Sequence, residues 1–209
     1  IHQRPDHLND LLDLVDWSTT DFMIYNGDMI NDYMVLDQPF EGFLDVSVNR
    51  FASNIPFYFI RGNHETRGRY ARTLMNLFPT LDGRSYYSFD HGPVHFIALD
   101  SGEDKIDSHQ EYNGLTDFTR FREEQVEWVK QDLASAQAQG ARFIVVFSHI
   151  PPLEQDDYVM RELRQTVEPI LNEAGVDLWL SGHMHQFSHI DPQPGKAAYP
   201  LIIGSTDTV

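Results

Sequence analysis

The sequence predicts a layered α/β domain with mixed sheets. Short apolar runs rich in branched and aromatic residues have the length and composition of strands covered on both faces. They lie at 22–25, 57–60, 94–99, 143–147, 178–180 and 201–203. Apolar residues recur with helical spacing at 8–15, 40–51, 126–136 and 163–174. Strand and helix patterns that alternate along the chain in this way are typical of a layered α/β fold.

Particular segments support this prediction in chain order. Leu8, Leu11, Leu12 and Val15 follow the i, i+3, i+4, i+7 spacing of an amphipathic helix. Residues 86–89 and 94–99 flank an Asp-His-Gly-Pro turn, which predicts a hairpin and makes part of a sheet antiparallel. Residues 101–118 are polar and aperiodic. We expect them to form a long surface loop near the functional site, because loops of this length are usually functional.

Length and composition indicate a single soluble domain covering residues 1–209. Hydrophobic residues make up 41% and charged residues 22%, as in ordinary globular proteins. No apolar stretch approaches the roughly 20 residues of a membrane span.

The absence of cysteine excludes disulfides, thiolate ligands and a cysteine nucleophile. The formal charge of -17 argues against a general nucleic-acid binder. Nothing in the sequence predicts the oligomeric state.

Five segments with metal-binding residue types follow, or are expected to follow, apolar runs. They are Ile1-His2, Asn26-Gly27-Asp28, Gly62-Asn63-His64-Glu65, Ser148-His149 and Gly182-His183-Met184-His185. Because open α/β sheets bind ligands at the carboxyl ends of their strands, we expect these segments to share one crevice. Histidine, aspartate and asparagine are typical ligands of divalent or trivalent first-row ions, whereas a thiolate zinc site is built from cysteine. The sequence therefore predicts a metal site at the carboxyl ends of the strands.

In order and spelling, these segments resemble the signature of the calcineurin-like metallophosphoesterase superfamily: D-x-H, G-D, G-N-H-D/E, H and G-H-x-H. The resemblance implies an α/β/β/α sandwich. It also implies a dinuclear metal-dependent phosphoesterase that hydrolyses a phosphomonoester or phosphodiester by attack of a metal-bound hydroxide. The substrate would be a small phosphate ester. The two divalent or trivalent ions would be manganese, iron or zinc, since these residue types accept several metals.

The resemblance also implies a ligand set for each ion. Asp28 would bridge both. The first ion would be held by His2, His185 and an aspartate expected directly before Ile1, so that the sequence starts just inside the D-x-H motif. The second ion would be held by Asn63, His149 and His183.

A catalytic and a substrate-binding role follow for the turn at residues 63–69. His64 matches the histidine that hydrogen-bonds the phosphate and protonates the leaving group, and Glu65 is a candidate for orienting it. Arg67 and Arg69 belong to an arginine cluster around this turn and are candidates for contacting the phosphate. The alternative for these arginines is a solvated helix start balanced by nearby acids.

Departures from the signature indicate which branch of the superfamily the sequence resembles. Asn31 stands where purple acid phosphatases carry a tyrosine, and residues 29–32 lack the Asp-Arg-Gly continuation of the serine/threonine phosphatases. Residues 98–102 and 147–152 resemble bacterial phosphatases related to the purple acid group. Many of those are exported, which favours an extracytoplasmic (periplasmic or secreted) location.

Two competing functions stay open at this point. One is a nucleotide phosphodiesterase or nuclease on the same scaffold. The other is a catalytically silent protein-binding domain, which would be expected to lose metal ligands or the acid histidine.

Overall fold

The computed structural model describes residues 1–155, 157–193 and 195–205, without the side chains of residues 136–139. The last four residues of the predicted domain, 206–209, lie outside this part. The strands are β1 Met23–Asn26, β2 Phe57–Ile60, β3 Tyr87–His91, β4 Val94–Ala98, β5 Phe143–Phe147, β6 Leu178–Ser181, β7 Ser188–Ile190 and β8 Leu201–Ile203. Each apolar run predicted as a strand is one, and β7 is an additional strand.

The helices follow the predicted stripes with one exception. They are α1 Pro5–Leu12, α2 (π-helical Phe40–Leu44, α-helical Asp45–Ser47 and π-helical Val48–Ala52 in succession), α3 Phe118–Gln139, α4 Tyr158–Thr166 and α5 Glu168–Ala174. The stripe at 163–174 is divided between α4 and α5 because Pro169 has no N–H to continue the helical hydrogen bonds. Within the described residues, no helix combines the length and apolar character of a membrane span.

The strands form two sheets. The first consists of the parallel pair β1 and β2, with Met23 opposite Phe57. The second has the order β3-β4-β5-β6-β8-β7, in which β4, β5, β6 and β8 run parallel and the edge strands β3 and β7 run antiparallel. The predicted hairpin is the β3–β4 pair, and the predicted mixed sheet is confirmed.

Side chains on the two faces of each sheet separate the molecule into layers. In β5, Val146 packs into a core with the helices α3, α4 and α5, while its neighbour Phe147 packs between the sheets with Ile60 and Ala98. On the far side of the first sheet, Phe59 joins a third core with α1 and α2. The layers therefore run helix, sheet, sheet, helix, as predicted.

The edge at which strands β1, β2, β5 and β6 end is tied together by Asn26. Its Nδ2 donates to the carbonyl oxygens of Ser148 (3.0 Å) and Leu180 (3.3 Å), which joins the end of the first sheet to the second. The loop after β4 also packs against this region more closely than a surface loop would, since Ser101 and Glu103 are buried. The hydrogen bonds of Asn26 thus hold the ends of β1, β5 and β6, each of which is followed by predicted ligands, beside one another.

A buried histidine links the β3–β4 hairpin to α3. His95 is 4% exposed, and its Nδ1 and Nε2 lie 2.6 Å from Asp90 Oδ1 and 2.9 Å from Asp132 Oδ2. Burial by itself would lower the pKa of His95, but hydrogen bonds to Asp132 and Asp90 outweigh burial and raise that pKa above its ordinary value.

The raised pKa predicts a pH dependence of stability. The free energy that protonated His95 contributes to folding is fully present below its unfolded pKa of about 6.5 and is lost as the pH rises through the folded pKa. Denaturant unfolding should therefore show a decrease in stability as the pH rises above about 6.5, and His95→Gln should make that decrease smaller. His91→Gln, at an exposed histidine of the same hairpin, serves as control and should keep the wild-type slope. Equal slopes for His95→Gln and wild type would contradict the prediction.

Candidate metal centre

Two glycines allow the loops after β1 and β2 to touch. A Cβ atom on Gly27 would lie 2.6 Å from Nδ1 of His149 and 2.7 Å from Cα of Gly62. A Cβ atom on Gly62 would lie 2.4 Å from Oδ1 of Asp28. Real Cβ atoms do not approach backbone or carboxylate atoms so closely, so these positions require glycine. The contact brings the buried Asp28 carboxylate against the next loop.

The carboxylate of Glu65 fastens the two loops to each other. Glu65 is fully buried, and its Oε1 accepts hydrogen bonds from the N–H groups of Met29 (2.6 Å) and Ile30 (3.1 Å). Its Oε2 accepts from the N–H groups of Asp28 (2.8 Å) and Gly62 (2.9 Å). The expectation that Glu65 orients His64 is therefore not supported. N–H groups freed where the chain leaves the strands need an acceptor, and Glu65 is that acceptor.

His149 is held with one nitrogen aimed at Asp28. Its Nδ1 lies 2.7 Å from the carbonyl oxygen of Asn26 and donates to it, so Nε2 faces the Asp28 carboxylate at 2.9 Å from Oδ2. That Nε2 is buried, and among the described residues it faces the Asp28 carboxylate without a well-directed hydrogen bond to any other group. A buried imidazole nitrogen set against a carboxylate oxygen is the arrangement of a ligand pair that fits a cation.

The same pair is electrostatically coupled. Burial would lower the pKa of His149, but the charge of the Asp28 carboxylate outweighs burial and raises it. Burial would likewise raise the pKa of Asp28, but His149 outweighs that and holds the pKa of the carboxyl well below its usual range. Asp28 is therefore ionised and can bind a cation.

Asp28 belongs to two groups of possible ligands. In one group its carboxylate meets His2 and His64, and in the other it meets His149 and His183, with one ligand atom from each residue within 4.8 Å of the others. A carboxylate shared by two groups fits the predicted bridging position. His64 is predicted as the acid and not as a ligand; it lies in the first group, and its role as the acid stays a prediction.

The other predicted ligands lie at the same centre. Asn63 is 1% exposed, and its Oδ1 lies 3.2 Å from Nδ1 of His183. His185 is exposed, and its Nε2 lies 2.9 Å from Nε2 of His2. Burial lowers the pKa of His2 and of His183 to about 4, so both imidazoles are neutral at pH 7. The structure thus brings the six predicted ligands together, while their division between two ions stays a prediction.

Backbone strain is concentrated at this centre. Six described non-glycine residues have a left-handed φ angle, and five of them are predicted ligands or their neighbour: His2 (49°), Gln3 (59°), Asp28 (53°), His183 (67°) and His185 (55°). Such conformations cost about 1–3 kcal/mol each and are typical of functional sites.

The arginines predicted to contact substrate have other partners. Nε of Arg67 lies 3.0 and 3.1 Å from the two carboxylate oxygens of Glu103, and its Nη2 lies 2.8 Å from Oε2 of Glu103 and 3.2 Å from Asp104. Arg69 is exposed, and its guanidinium lies 5.7 Å from the centre of the Tyr70 ring. Contact of either arginine with a phosphate stays a prediction, and for Arg67 it would compete with an existing ion pair.

Comparison with known families agrees with this geometry. Residues 1–187 match the family model described as calcineurin-like phosphoesterase. The chain belongs to that family.

Relatives of this calcineurin-like phosphoesterase are phosphatases by name. The bovine (Bos taurus) serine/threonine-protein phosphatase CPPED1 is 31% identical in an alignment 144 residues long that covers 64% of this chain and 42% of that protein. Purple acid phosphatase 22 of Arabidopsis thaliana is 28% identical in an alignment 182 residues long that covers 80% of this chain and 38% of that protein. The chain thus spans less than half the length of these relatives. A dimetal phosphatase of Danio rerio superposes with a TM-score of 0.70 at 16% identity, covering 97% of this chain and 78% of that one.

Replacement of Glu65 tests how the centre is assembled. Glu65→Gln puts an amide NH2 against two backbone N–H donors, and leaving them without an acceptor should cost about 2 kcal/mol or more. We expect a lower unfolding free energy and a lower bound-metal content, measured by denaturation and by elemental analysis. Glu173→Gln makes the same chemical change at an exposed helix position and should alter neither. Wild-type stability in Glu65→Gln would contradict the assigned role.

Metal addition tests the site itself. Because an ion that binds only the folded state stabilises it, Mn²⁺ at about 100 times its dissociation constant should add about 2.7 kcal/mol to the stability of metal-free protein. Asp28→Asn removes the shared negative charge and should abolish most of this gain in thermal unfolding. Asp10→Asn, at an exposed aspartate of α1, should retain it. An equal gain in all three proteins would place Mn²⁺ binding elsewhere.

Proposed function

We propose that the chain is the catalytic domain of a dinuclear metal-dependent phosphoesterase that hydrolyses a phosphomonoester or phosphodiester. The observation that carries this proposal is the buried Asp28 carboxylate, which meets His149 and His183 on one side and His2, beside the proposed proton donor His64, on the other. Membership of the calcineurin-like phosphoesterase family and the names of the relatives support the same reaction class.

The donor set indicates which residues would hold the ions. His2 and His185 would hold one ion, Asn63, His149 and His183 the other, and Asp28 both. When bound, such ions stabilise negative charge on the phosphoryl oxygens and activate water. Manganese, iron and zinc all suit these donors. Their positive charge also makes the pocket compatible with a phosphate ester in a protein of formal charge -17.

Asp28 also helps to position the proton donor that we propose for the leaving group. Oδ1 of Asp28 accepts the backbone N–H of His64 at 3.1 Å. The ring of His64 lies beside that of His2, with 4.7 Å between ring centroids. We assign to His64 the donation of a proton to the leaving oxygen, a step that contributes about 10²–10⁴-fold when a histidine is well placed.

The class of ester stays open between small phosphate esters and phosphoproteins. The bovine relative is named a serine/threonine-protein phosphatase although this chain lacks the Asp-Arg-Gly continuation. The printed name of that relative supports a phosphoprotein as a second candidate class of substrate. The acidic composition disfavours long nucleic acids. The convergence of all six predicted ligands argues against a catalytically silent domain.

Loss of the proton donor should depend on the leaving group. With Mn²⁺ supplied, His64→Gln should lower kcat about 100-fold or more on phenyl phosphate, whose phenolate needs a proton to leave. The loss should be smaller on p-nitrophenyl phosphate, because p-nitrophenolate leaves as a stable anion. Bis(p-nitrophenyl) phosphate, assayed in parallel, tells whether diesters are preferred.

His189→Gln, at an exposed histidine of β7, is the matched control and should keep full activity. If wild-type protein with both metal positions filled cleaves none of these esters, the phosphoesterase proposal is wrong and a binding role becomes the better hypothesis.

A further inference from the structure

We propose that Glu103 is a positioning residue for His64, acting through Thr66 and Arg67. This inference rests on the proposed role of His64 as proton donor. Glu103 lies on the long loop that follows β4, so this loop and the ion pair between Glu103 and Arg67 would both have a function.

The ring of His64 lacks an orienting hydrogen bond at one nitrogen. Nδ1 is buried and has no hydrogen-bond partner among the described residues. Glu65, the adjacent acid, has all its observed hydrogen bonds with backbone N–H groups of the metal-binding loops. The direction of the His64 ring therefore depends on the backbone of the short 3₁₀ turn His64–Thr66 that carries it.

Glu103 binds this turn at two successive residues. Its Oε1 accepts hydrogen bonds from Oγ1 of Thr66 at 2.8 Å and from Nε of Arg67 at 3.0 Å, and its Oε2 accepts from Nη2 of Arg67 at 2.8 Å. Paired Arg–carboxylate contacts of this kind fix geometry as well as adding energy. Oγ1 of Thr66 lies equally close, at 2.8 Å, to the carbonyl oxygen of Asn63, so its single hydrogen is shared between that oxygen and Glu103, and the contact extends to a predicted metal ligand.

Glu103 is itself rigidly placed. It is 2% exposed, and the hydroxyl of buried Tyr112 donates to its Oε2 at 3.1 Å. The chain just before it is tied to α3, since Gln125 pairs with the backbone of Asp100 through both its amide oxygen and its amide nitrogen, at 2.8 and 2.9 Å. Nη1 of Arg122 also donates to the carbonyl oxygen of Ser101 at 3.0 Å. A buried carboxylate on a fixed segment can hold a turn in one position.

Neutralising Arg67 would explain only part of this arrangement. Asp104 also pairs with Arg67, at 3.2 Å, and it has no contact with Thr66 among the described hydrogen bonds. Glu103 and Asp104 therefore provide a matched comparison. Replacing either removes one carboxylate charge from Arg67, and only replacement of Glu103 disturbs Thr66.

The leaving-group dependence of kcat separates positioning from general damage. Glu103→Gln should lower kcat on phenyl phosphate about tenfold, because a small displacement of a catalytic group is costly, and should lower it less on p-nitrophenyl phosphate. KM should change little for both esters. Thr66→Val keeps the ion pair and should reproduce part of this pattern. Asp104→Asn should leave kcat near wild type on both esters.

A second measurement does not depend on activity. The amide N–H groups of Thr66 and Arg67 close the turn by bonding to the carbonyls of Asn63 (3.2 Å) and His64 (3.1 Å). Their hydrogen exchange should become faster in Glu103→Gln than in wild type or Asp104→Asn, at unchanged metal content.

The inference is overturned if wild type is active and Glu103→Gln lowers kcat by the same factor on both esters. It is also overturned if kcat falls only in proportion to the bound-metal content or to the melting temperature. Unchanged exchange at Thr66 and Arg67 also overturns it. Failure of the proposed function is a different result, since wild type would then hydrolyse neither ester whatever the exchange rates are.

Discussion

Four backbone N–H groups from two chain segments converge on the buried carboxylate of Glu65, and the rest of the site depends on this convergence. The loops after β1 and β2 can touch only because Gly27 and Gly62 have no side chain. Without an acceptor, each of those buried N–H groups would cost about 1–3 kcal/mol, a large part of a typical domain stability of about 5–15 kcal/mol. Glu65 therefore makes a close contact of two loops stable, and Asp28 takes its position from that contact.

The site also stores strain that the surrounding layers have to support. The left-handed residues at the centre lie on segments that leave strands of both sheets or precede α1, and their side chains meet only because the backbone turns sharply there. Each costs about 1–3 kcal/mol. Burial of large side chains such as Trp179, Phe43 and Ile60 in the three cores supplies the offsetting stabilisation. The strained backbone at the candidate centre is therefore stable only because the three cores are well packed.

Several acidic side chains are buried and make hydrogen bonds or ion pairs within the protein, in addition to those that carry charge at the surface. Glu65 accepts hydrogen bonds from backbone N–H groups, and Glu103 accepts them from the side chains of Arg67 and Thr66. Buried Asp100 forms an ion pair with Arg61 at 2.7 Å. Arg61 and Arg67, beside the His64 turn, are therefore engaged in ion pairs within the protein, so a cluster of arginines beside the candidate metal centre is not by itself evidence of phosphate binding. A net charge of -17 consequently says little about the electrostatics of the pocket, where bound cations would dominate.

Local patterns in the sequence determined the strands that carry the site and the residue types at their ends, because apolar runs and strand-terminal glycines act over a few residues. The residue types of the six candidate ligands could be read from the sequence for the same reason, and the structure places them together. Only the tertiary structure decided the roles of Glu65, Asn26 and Glu103. Their partners lie as far as 37, 154 and 37 residues away in the chain, and the partners of Glu65 and Asn26 are backbone atoms, which have no sequence signature. The short strand β7 was missed because its three residues carry no apolar run, and antiparallel pairing with β8 creates it.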